Sequence, residues 1–319
     1  MKKNILITGG AGFIGTNLVC NLISDKRIGT IRVLDNLCNG KIDNINQYFH
    51  IPNFEFIEGD IRDYETCLRA TKGMDLVSHQ AALGSVPRSI ENPIQSAEVN
   101  IMGTLNILHA SVLNKVDRVV LAFSSSTYGD DINLPKKEEI FGNPLSPYAV
   151  TKYSIEQFAS VFGNIYSLKW FGLRYFNVFG PYQFANNPYA AVIPIFCQAA
   201  LKGDDIFING DGLTSRDFTF VSNVVHMNKL AFFTDNTNSF NQIYNCAIGG
   251  NINLSTLAQT IIQITGSNSK IYYNPERLGD VKHSHADISK AKNLLNYSIQ
   301  DDFITGLKKT IEFYKRVFH

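Results

Sequence analysis

Near the start of the chain, Thr8-Gly9-Gly10-Ala11-Gly12-Phe13-Ile14-Gly15 constrains the fold more than any other run. It follows a β-rich stretch, Asn4-Ile5-Leu6-Ile7-Thr8. It opens a segment in which Phe13, Ile14, Leu18, Val19, Leu22 and Ile23 recur at helical spacing. Strand, glycine turn and helix in immediate succession aim backbone N–H groups at a helix N-terminus, where they receive a pyrophosphate. Gly9 suits the tight turn, Gly12 lets the backbone approach phosphates, and Gly15 allows close packing of helix on strand. The spacing is G-x-x-G-x-x-G, not the G-x-G-x-x-G of ordinary dehydrogenases.

The next segments extend this reading. Residues 30–34 form a second β-rich run ending at Asp35-Asn36. An acid at that strand end bonds the ribose hydroxyls of NAD and repels the extra phosphate of NADP; a turn residue is the alternative. Residues 54–62 predict a third strand, with Asp60-Ile61 beside the adenine, and residues 74–82 a fourth, which breaks into Gln80-Ala81-Ala82 where a cofactor crosses the sheet edge. Strands alternating with helical segments predict an α/β chain: a Rossmann-type doubly wound parallel sheet with a smaller α/β substrate-binding lobe. The expected division is residues 1–175, with 217–249 returning, for NAD, and 176–216 with 250–319 for substrate. A net charge of +1 argues against nucleic acid or an anionic membrane as partner. Five scattered cysteines fit reduced thiols. After Met1-Lys2-Lys3 the apolar run is too short for a signal peptide, and a cytoplasmic protein is expected. His283 and His285, two residues apart and without ligand partners nearby, predict no metal site.

A second constellation lies mid-chain. Tyr148-Ala149-Val150-Thr151-Lys152 puts a phenol and an ammonium on one helix face. The cation stabilises the phenolate, so the pKa of Tyr148 is expected to fall toward working pH. Ahead of it, residues 117–123 read as a buried strand that releases Ser124, Ser125 and Ser126 at its C-terminal end, where ligands bind in open α/β sheets. One of these hydroxyls is expected to bond the reacting hydroxyl; satisfying a strand end is the alternative. Further on, Arg216 offers a guanidinium fork suited to a diphosphate, or to an ion pair with Asp217.

Taken in order, these motifs resemble the extended short-chain dehydrogenase/reductases, specifically nucleotide-sugar epimerases. The resemblance rests on the glycine run, Asp60-Ile61-Arg62-Asp63, His79-Gln80-Ala81-Ala82, Asn100-Ile101-Met102-Gly103-Thr104, Ser124-Ser125-Ser126-Thr127-Tyr128-Gly129, Ser146-Pro147-Tyr148-Ala149-Val150-Thr151-Lys152 and Arg174-Tyr175-Phe176-Asn177-Val178-Phe179-Gly180-Pro181. Within that superfamily, Gly84-Ser85-Val86-Pro87-Arg88-Ser89 and Tyr189-Ala190-Ala191-Val192-Ile193-Pro194 resemble the bacterial UDP-N-acetylglucosamine 4-epimerases of surface-polysaccharide pathways.

The resemblance implies roles. Asn100, near a helix start, would hold the backbone beside the nicotinamide ribose, or else cap that helix. Tyr175 and Val178 would lie against the nicotinamide, and Asn177 would meet the sugar diphosphate. Gly84, Ser85, Val86, Arg88 and Val192 would contact substrate, with Asn209 at the uracil or ribose. Arg277 would serve the diphosphate, Asp280 the uridine ribose, and small Ser284 would leave room for a 2-acetamido group. Dehydratases and decarboxylases of the superfamily carry carboxylates in the loop after the strand; here it reads Ser-Ser-Ser-Thr-Tyr. The resemblance therefore implies oxidation at C4, rotation of the keto sugar and re-reduction, interconverting UDP-GlcNAc and UDP-GalNAc in a homodimer paired through the helix after Asn92 and the Tyr148 helix. The alternatives are a UDP-glucose or UDP-glucuronate 4-epimerase, a nucleotide-sugar reductase, and a non-catalytic NAD-binding regulator.

Overall fold

The computed structural model describes residues 2–185, 190–276 and 282–318. In chain order the first lobe begins with β1 (Lys3–Thr8), α1 (Phe13–Leu22), β2 (Ile28–Asp35), β3 (Phe54–Glu58), α2 (Tyr64–Thr71) and β4 (Leu76–His79). Short α3 (Val86–Glu91) and α4 (Pro93–Ala97) lead through a π-helical turn, Glu98–Met102, into α5 (Gly103–Leu113). Then come β5 (Arg118–Ser124), α6 (Pro147–Tyr166), β6 (Lys169–Tyr175) and the two-residue β7 (Val178–Phe179). The rest of the chain supplies α7 (Val192–Lys202), β8 (Ile206–Asn209), β9 (Ser215–Arg216), β10 (Thr219–Phe220), α8 (Val221–Phe233), β11 (Gln242–Cys246), β12 (Ile252–Asn253), α9 (Leu254–Thr265), β13 (Ile271–Asn274), α10 (Ser289–Leu295) and α11 (Phe303–Phe318).

Seven of these strands make one sheet in the order β11-β6-β5-β4-β1-β2-β3, parallel throughout. The period-two alternation of β1 decides what lies on each face. Ile5 and Ile7 turn toward α1, α8 and α10, while Leu6 turns toward α2, α5 and α6. Both faces are covered, as an all-parallel sheet requires. A third core, built from α7, α9, α11 and β8, forms the smaller lobe. Among the described residues no helix is long and apolar enough to cross a membrane.

Three features differ from expectation. β3 stops at Glu58, because the chain turns there: Asp60 accepts from Arg62 N through its side chain and from Asp63 N through its carbonyl. α8 begins at Val221, although residues 217–227 and 242–249 read in the sequence as elements that rejoin the first lobe with a helix only between them. Ala286, Ile288, Ala291, Leu295 and Tyr297 pack into the core of the large sheet, although they follow the substrate-lobe residues in sequence.

Candidate active site

A cleft of about 540 Å³ runs along the C-terminal edge of the sheet, from the β2–β3 end to the start of α6. Gly9, Gly12, Phe13, Ile14 and Gly15 form its floor. Gly9 has φ +68°, and a Cβ on Gly15 would lie 2.1 Å from the Gly9 carbonyl oxygen, so no larger residue fits that crossing. Asp35 and Asn36 form one wall. The Asp35 carboxylate accepts from Ala11 N at 3.0 Å and Leu37 N at 2.9 Å, while burial raises its pKa above the ordinary carboxyl value. Asp60 and Ile61 line the same end. The carboxylate of Asp60 is already engaged by the Arg62 side chain, with Nε at 3.0 Å and Nη2 at 2.8 Å, which holds its pKa down to about 2. Asn36 Nδ2 donates to it as well, at 2.8 Å. Gln80, Ala81 and Ala82 cross the middle, where Gln80 Oε1 accepts from the Tyr175 hydroxyl at 3.1 Å.

At the far end stand Ser124, Tyr148, Lys152, Tyr175, Asn177 and Val178. α6 starts here because Ser146 caps it, accepting from Ala149 N at 3.2 Å, with Pro147 in the first turn. Ser89 of α3 accepts from Tyr148 N at 3.0 Å and so fixes the phenol-bearing residue. Asn100 is not a cap. It sits in the π-helical turn, bonds both N and O of Leu83 at 2.8 and 3.1 Å, and donates to Thr151 Oγ1 at 3.1 Å, tying the cleft backbone to α6. Lys152 Nζ donates to Ala122 O at 2.7 Å and lies 5.9 Å from the centre of the Tyr148 ring. Burial lowers the Lys152 pKa to about 8, opposed by the charge of Glu156.

The expected fall in the Tyr148 pKa is not produced by the protein's own groups. Burial raises it above 10, and a side-chain bond with Ser124 only partly opposes this. The reason is that a buried phenolate loses its hydration. Of the three serines, Ser124 lines the cleft, whereas Ser125 opens a 3-10 turn and Ser126 folds back to donate to Ser124 Oγ at 2.9 Å.

Residues 5–247 match the model of the NAD dependent epimerase/dehydratase family. The chain belongs to this family. A putative UDP-glucose 4-epimerase of Methanocaldococcus jannaschii is 35% identical to it over 313 residues, 98% of each chain. Two solved structures are similar throughout. A UDP-N-acetylglucosamine 4-epimerase from Methanobrevibacter ruminantium, in complex with UDP-N-acetylmuramic acid, is 38% identical with a TM-score of 0.93, covering 99% of this chain and 100% of that one. A UDP-glucose 4-epimerase from Thermotoga maritima, with UDP-glucose, is 35% identical with a TM-score of 0.92 and the same coverage. The family's NAD fits this cleft: the glycine crossing admits a pyrophosphate at the N-terminus of α1, and Asp35 ends β2 where a ribose would lie.

Other residues of this epimerase/dehydratase chain fall into three groups. Gly84 and Arg88 line the cleft, and Arg88 Nη1 reaches Asn39 Oδ1 at 3.2 Å on the opposite wall. Ser85, with φ +132°, caps α3, and Val86 follows it, half exposed. Val192, Asn209, Arg216 and Ser284 lie on the smaller lobe outside the lining of this cleft. Arg216 and Ser284 adjoin, since Ser215 O accepts from Arg216 Nη1 at 2.9 Å and from Ser284 N at 3.1 Å. Asp217 is not the ion-pair partner weighed for Arg216; it is buried and accepts from Thr219 Oγ1 and from the backbone N–H groups of Ile248, Gly250 and Ala286. Arg277, Asp280 and Tyr189 lie outside the described residues.

Several lining residues had escaped the sequence reading, among them Cys38, Asn39, Arg62, Gln95 and Gln183. Asn39-Gly40 is a turn dipeptide and was a usable signal. Gly40 packs so closely on Ala11 that a Cβ would lie 2.9 Å from the Ala11 carbonyl carbon, which clips that loop to the glycine turn.

Proposed function

We propose that this chain is an isomerase that interconverts UDP-GlcNAc and UDP-GalNAc by epimerisation at C4. The observation that carries the reading is the convergence of Tyr148, Lys152 and Ser124 at one end of the cofactor cleft. The turn after Ser124, Ser125–Tyr128, brings no carboxylate. General acid–base work at a hydroxyl needs one tuned proton carrier, whereas elimination needs further acids at neighbouring carbons. NAD, which the glycine turn and Asp35 would hold, would supply the hydride acceptor and donor for the sugar C4. Tyr148, as phenolate, takes the proton of the 4-hydroxyl, which Ser124 orients. The Lys152 ammonium, 5.9 Å from the centre of the Tyr148 ring, stabilises that phenolate and would donate to a ribose hydroxyl of the cofactor. Between the two half-reactions the 4-keto sugar turns about its glycosyl–phosphate bonds and presents its other face to Tyr148.

The N-acetylated substrate is favoured by the small side chain of Ser284 beside Arg216, and by the likeness to the M. ruminantium enzyme. UDP-glucose is the second reading, supported by the names of the M. jannaschii and T. maritima relatives. Arg216 is assigned to the diphosphate, with Arg277 and Asp280 completing the nucleotide contacts. A second copy of the chain is expected against the apolar stripe of α6 described below. Turnover of UDP-GlcNAc, UDP-glucose and UDP-glucuronate, measured in parallel, tests the substrate. UDP-GlcNAc should lead, and Ser284→Tyr should cut its turnover at least tenfold while sparing UDP-glucose, a loss of about 1.4 kcal/mol or more in the transition state. An enzyme that turns over UDP-glucose alone contradicts the N-acetyl assignment.

A further inference from the structure

Beneath the Tyr148–Lys152 pair lies a second charged pair that the proposed chemistry does not use. Glu156 follows Lys152 by one turn of α6, so the two side chains share a helix face. Its carboxylate meets Arg174 of β6 in a two-pronged ion pair, with Nε to Oε1 at 2.9 Å and Nη2 to Oε2 at 2.8 Å, and both side chains are 0% exposed. Arg174 is in turn clamped. Its Nη1 donates to Glu138 O at 3.2 Å, and its guanidinium lies 4.7 Å from the ring centres of both Tyr128 and Phe141. A fully buried ion pair gives up hydration that its own attraction barely restores, and apolar side chains of similar volume often pack as stably. Its position beside a third charge offers a reason for it.

Lys152 faces Tyr148 and Glu156 on α6, the Ala122 carbonyl on β5 and His79 on β4, while Ser124 of β5 bonds Tyr148. Burial lowers the His79 pKa to about 3, so that ring is neutral, bonded between Thr8 and Thr104. Arg174 of β6, with Tyr128 and the Glu138 carbonyl of the segment before α6 against it, bonds Glu156. Burial raises the Glu156 pKa, opposed by the two-pronged bond to Arg174, by Thr127 and by Lys152; paired in that fork, Glu156 is the anion on the helix face of Lys152. An unoccupied carboxylate one turn away would draw the ammonium down into a direct salt bridge. Here the Arg174 fork takes both oxygens, and Lys152 Nζ sits on the neutral Ala122 carbonyl instead.

We propose that Glu156 and Arg174 are positioning residues for the reaction: the pair keeps a negative charge beside Lys152 while both carboxylate oxygens stay on Arg174, so the ammonium remains directed at Tyr148. The inference rests on the reading in which Lys152 supports Tyr148 as the proton carrier. Glu156 favours the protonated amine, and Arg174 prevents Glu156 from capturing it.

The test is the pH profile of 4-epimerisation in the NAD-loaded protein for Glu156→Gln, Arg174→Gln, the double variant and Glu156→Asp. Glu156→Gln leaves an unbalanced cation, and its alkaline limb should move toward acid by about one pH unit, a tenfold change in the ionisation of the coupled pair. Arg174→Gln should move that limb the opposite way and lower kcat at the optimum. The double variant removes both charges and should bring the limb back to within about 0.3 unit of the wild type. Glu156→Asp keeps the charge and should keep the limb. A merely structural brace predicts lower melting temperatures and uniformly lower kcat, with the limb unmoved and the double variant no better than the singles; that pattern overturns the proposal. Should Glu156→Gln fail to fold, a limb displaced in Glu156→Asp, or moved toward acid in Arg174→Gln, overturns it equally. Tyr148→Phe, assayed alongside, separates the two levels. An active Tyr148→Phe enzyme refutes the proton-carrier reading, whereas an inactive one with unmoved limbs in the other variants refutes the positioning role alone.

Discussion

Whether Tyr148 can give up a proton and take it back is decided by a few neighbours. Burial favours its phenol form, so the phenolate needs the Lys152 ammonium and the Ser124 hydroxyl at its side. Tyr148→Phe keeps the ring and removes the proposed proton carrier. Positioned general acid–base groups contribute on the order of 10²–10⁴, so turnover should fall at least about a hundredfold. Bound NAD and UDP-sugar affinity should stay near wild-type values, which equilibrium dialysis checks. The pair itself was legible because four-residue spacing is a property of any helix. Which serine faces the cleft was not, because the β5 strand end and the 3-10 turn after it decide where each hydroxyl points. The direction of the Tyr148 pKa was likewise hidden, since burial is a tertiary quantity. Nor did the acid at Asp60 reveal that Arg62, two residues on, would occupy it.

Among the elements, the glycine turn with its flanking strand and helix was legible because each glycine answers a local steric demand. The start of α6 was equally open to reading through Ser146 and Pro147. Ser146→Ala should destabilise the protein by about 1 kcal/mol, seen as a lower denaturant midpoint. Ser89 still holds Tyr148 N, so kcat should fall less than tenfold. An unchanged midpoint would contradict the capping role. α8 was placed too late because Phe220 precedes it without a side-chain cap, leaving no sequence signal for its first turn. The π-helical turn at Glu98–Met102 likewise hid the true setting of Asn100, since a single wide turn leaves the hydrophobic period almost unchanged.

Across the whole molecule the two lobes are interleaved, and Asp217 fastens two other crossing segments, 248–250 and the one at Ala286, to its own. Burial pushes its pKa up to about 6 from the usual 3.8, so folding favours the protonated carboxyl. Its contribution to stability is full below 3.8 and lost as pH rises through 6. Relative to Asp217→Asn, which does not titrate, the wild type should lose up to about 3 kcal/mol between about pH 4 and 7, read from denaturant midpoints at each pH. A constant difference would contradict this. The return of residues 286–297 to the first core could not be read from a sequence in which they follow substrate-lobe segments. The outer face of α6 is apolar along one stripe, Val150, Phe158, Val161 and Ile165, and Ile90 and Ile94 of the neighbouring α3 and α4 are exposed too. We expect a second copy of the chain to cover that stripe. Light scattering should show a dimer that Ile165→Glu converts to monomer; a wild-type monomer would refute the pairing.

Epimerisation without net redox leaves the C4 hydrogen on the sugar, so an isotope at that carbon follows it. UDP-GlcNAc deuterated at C4 is incubated with the purified protein, without added NAD. UDP-GalNAc that keeps deuterium at C4 is the expected product, because the deuteride leaves and returns within one bound complex. Loss of the label, or product that forms only with net consumption of added cofactor, would contradict it.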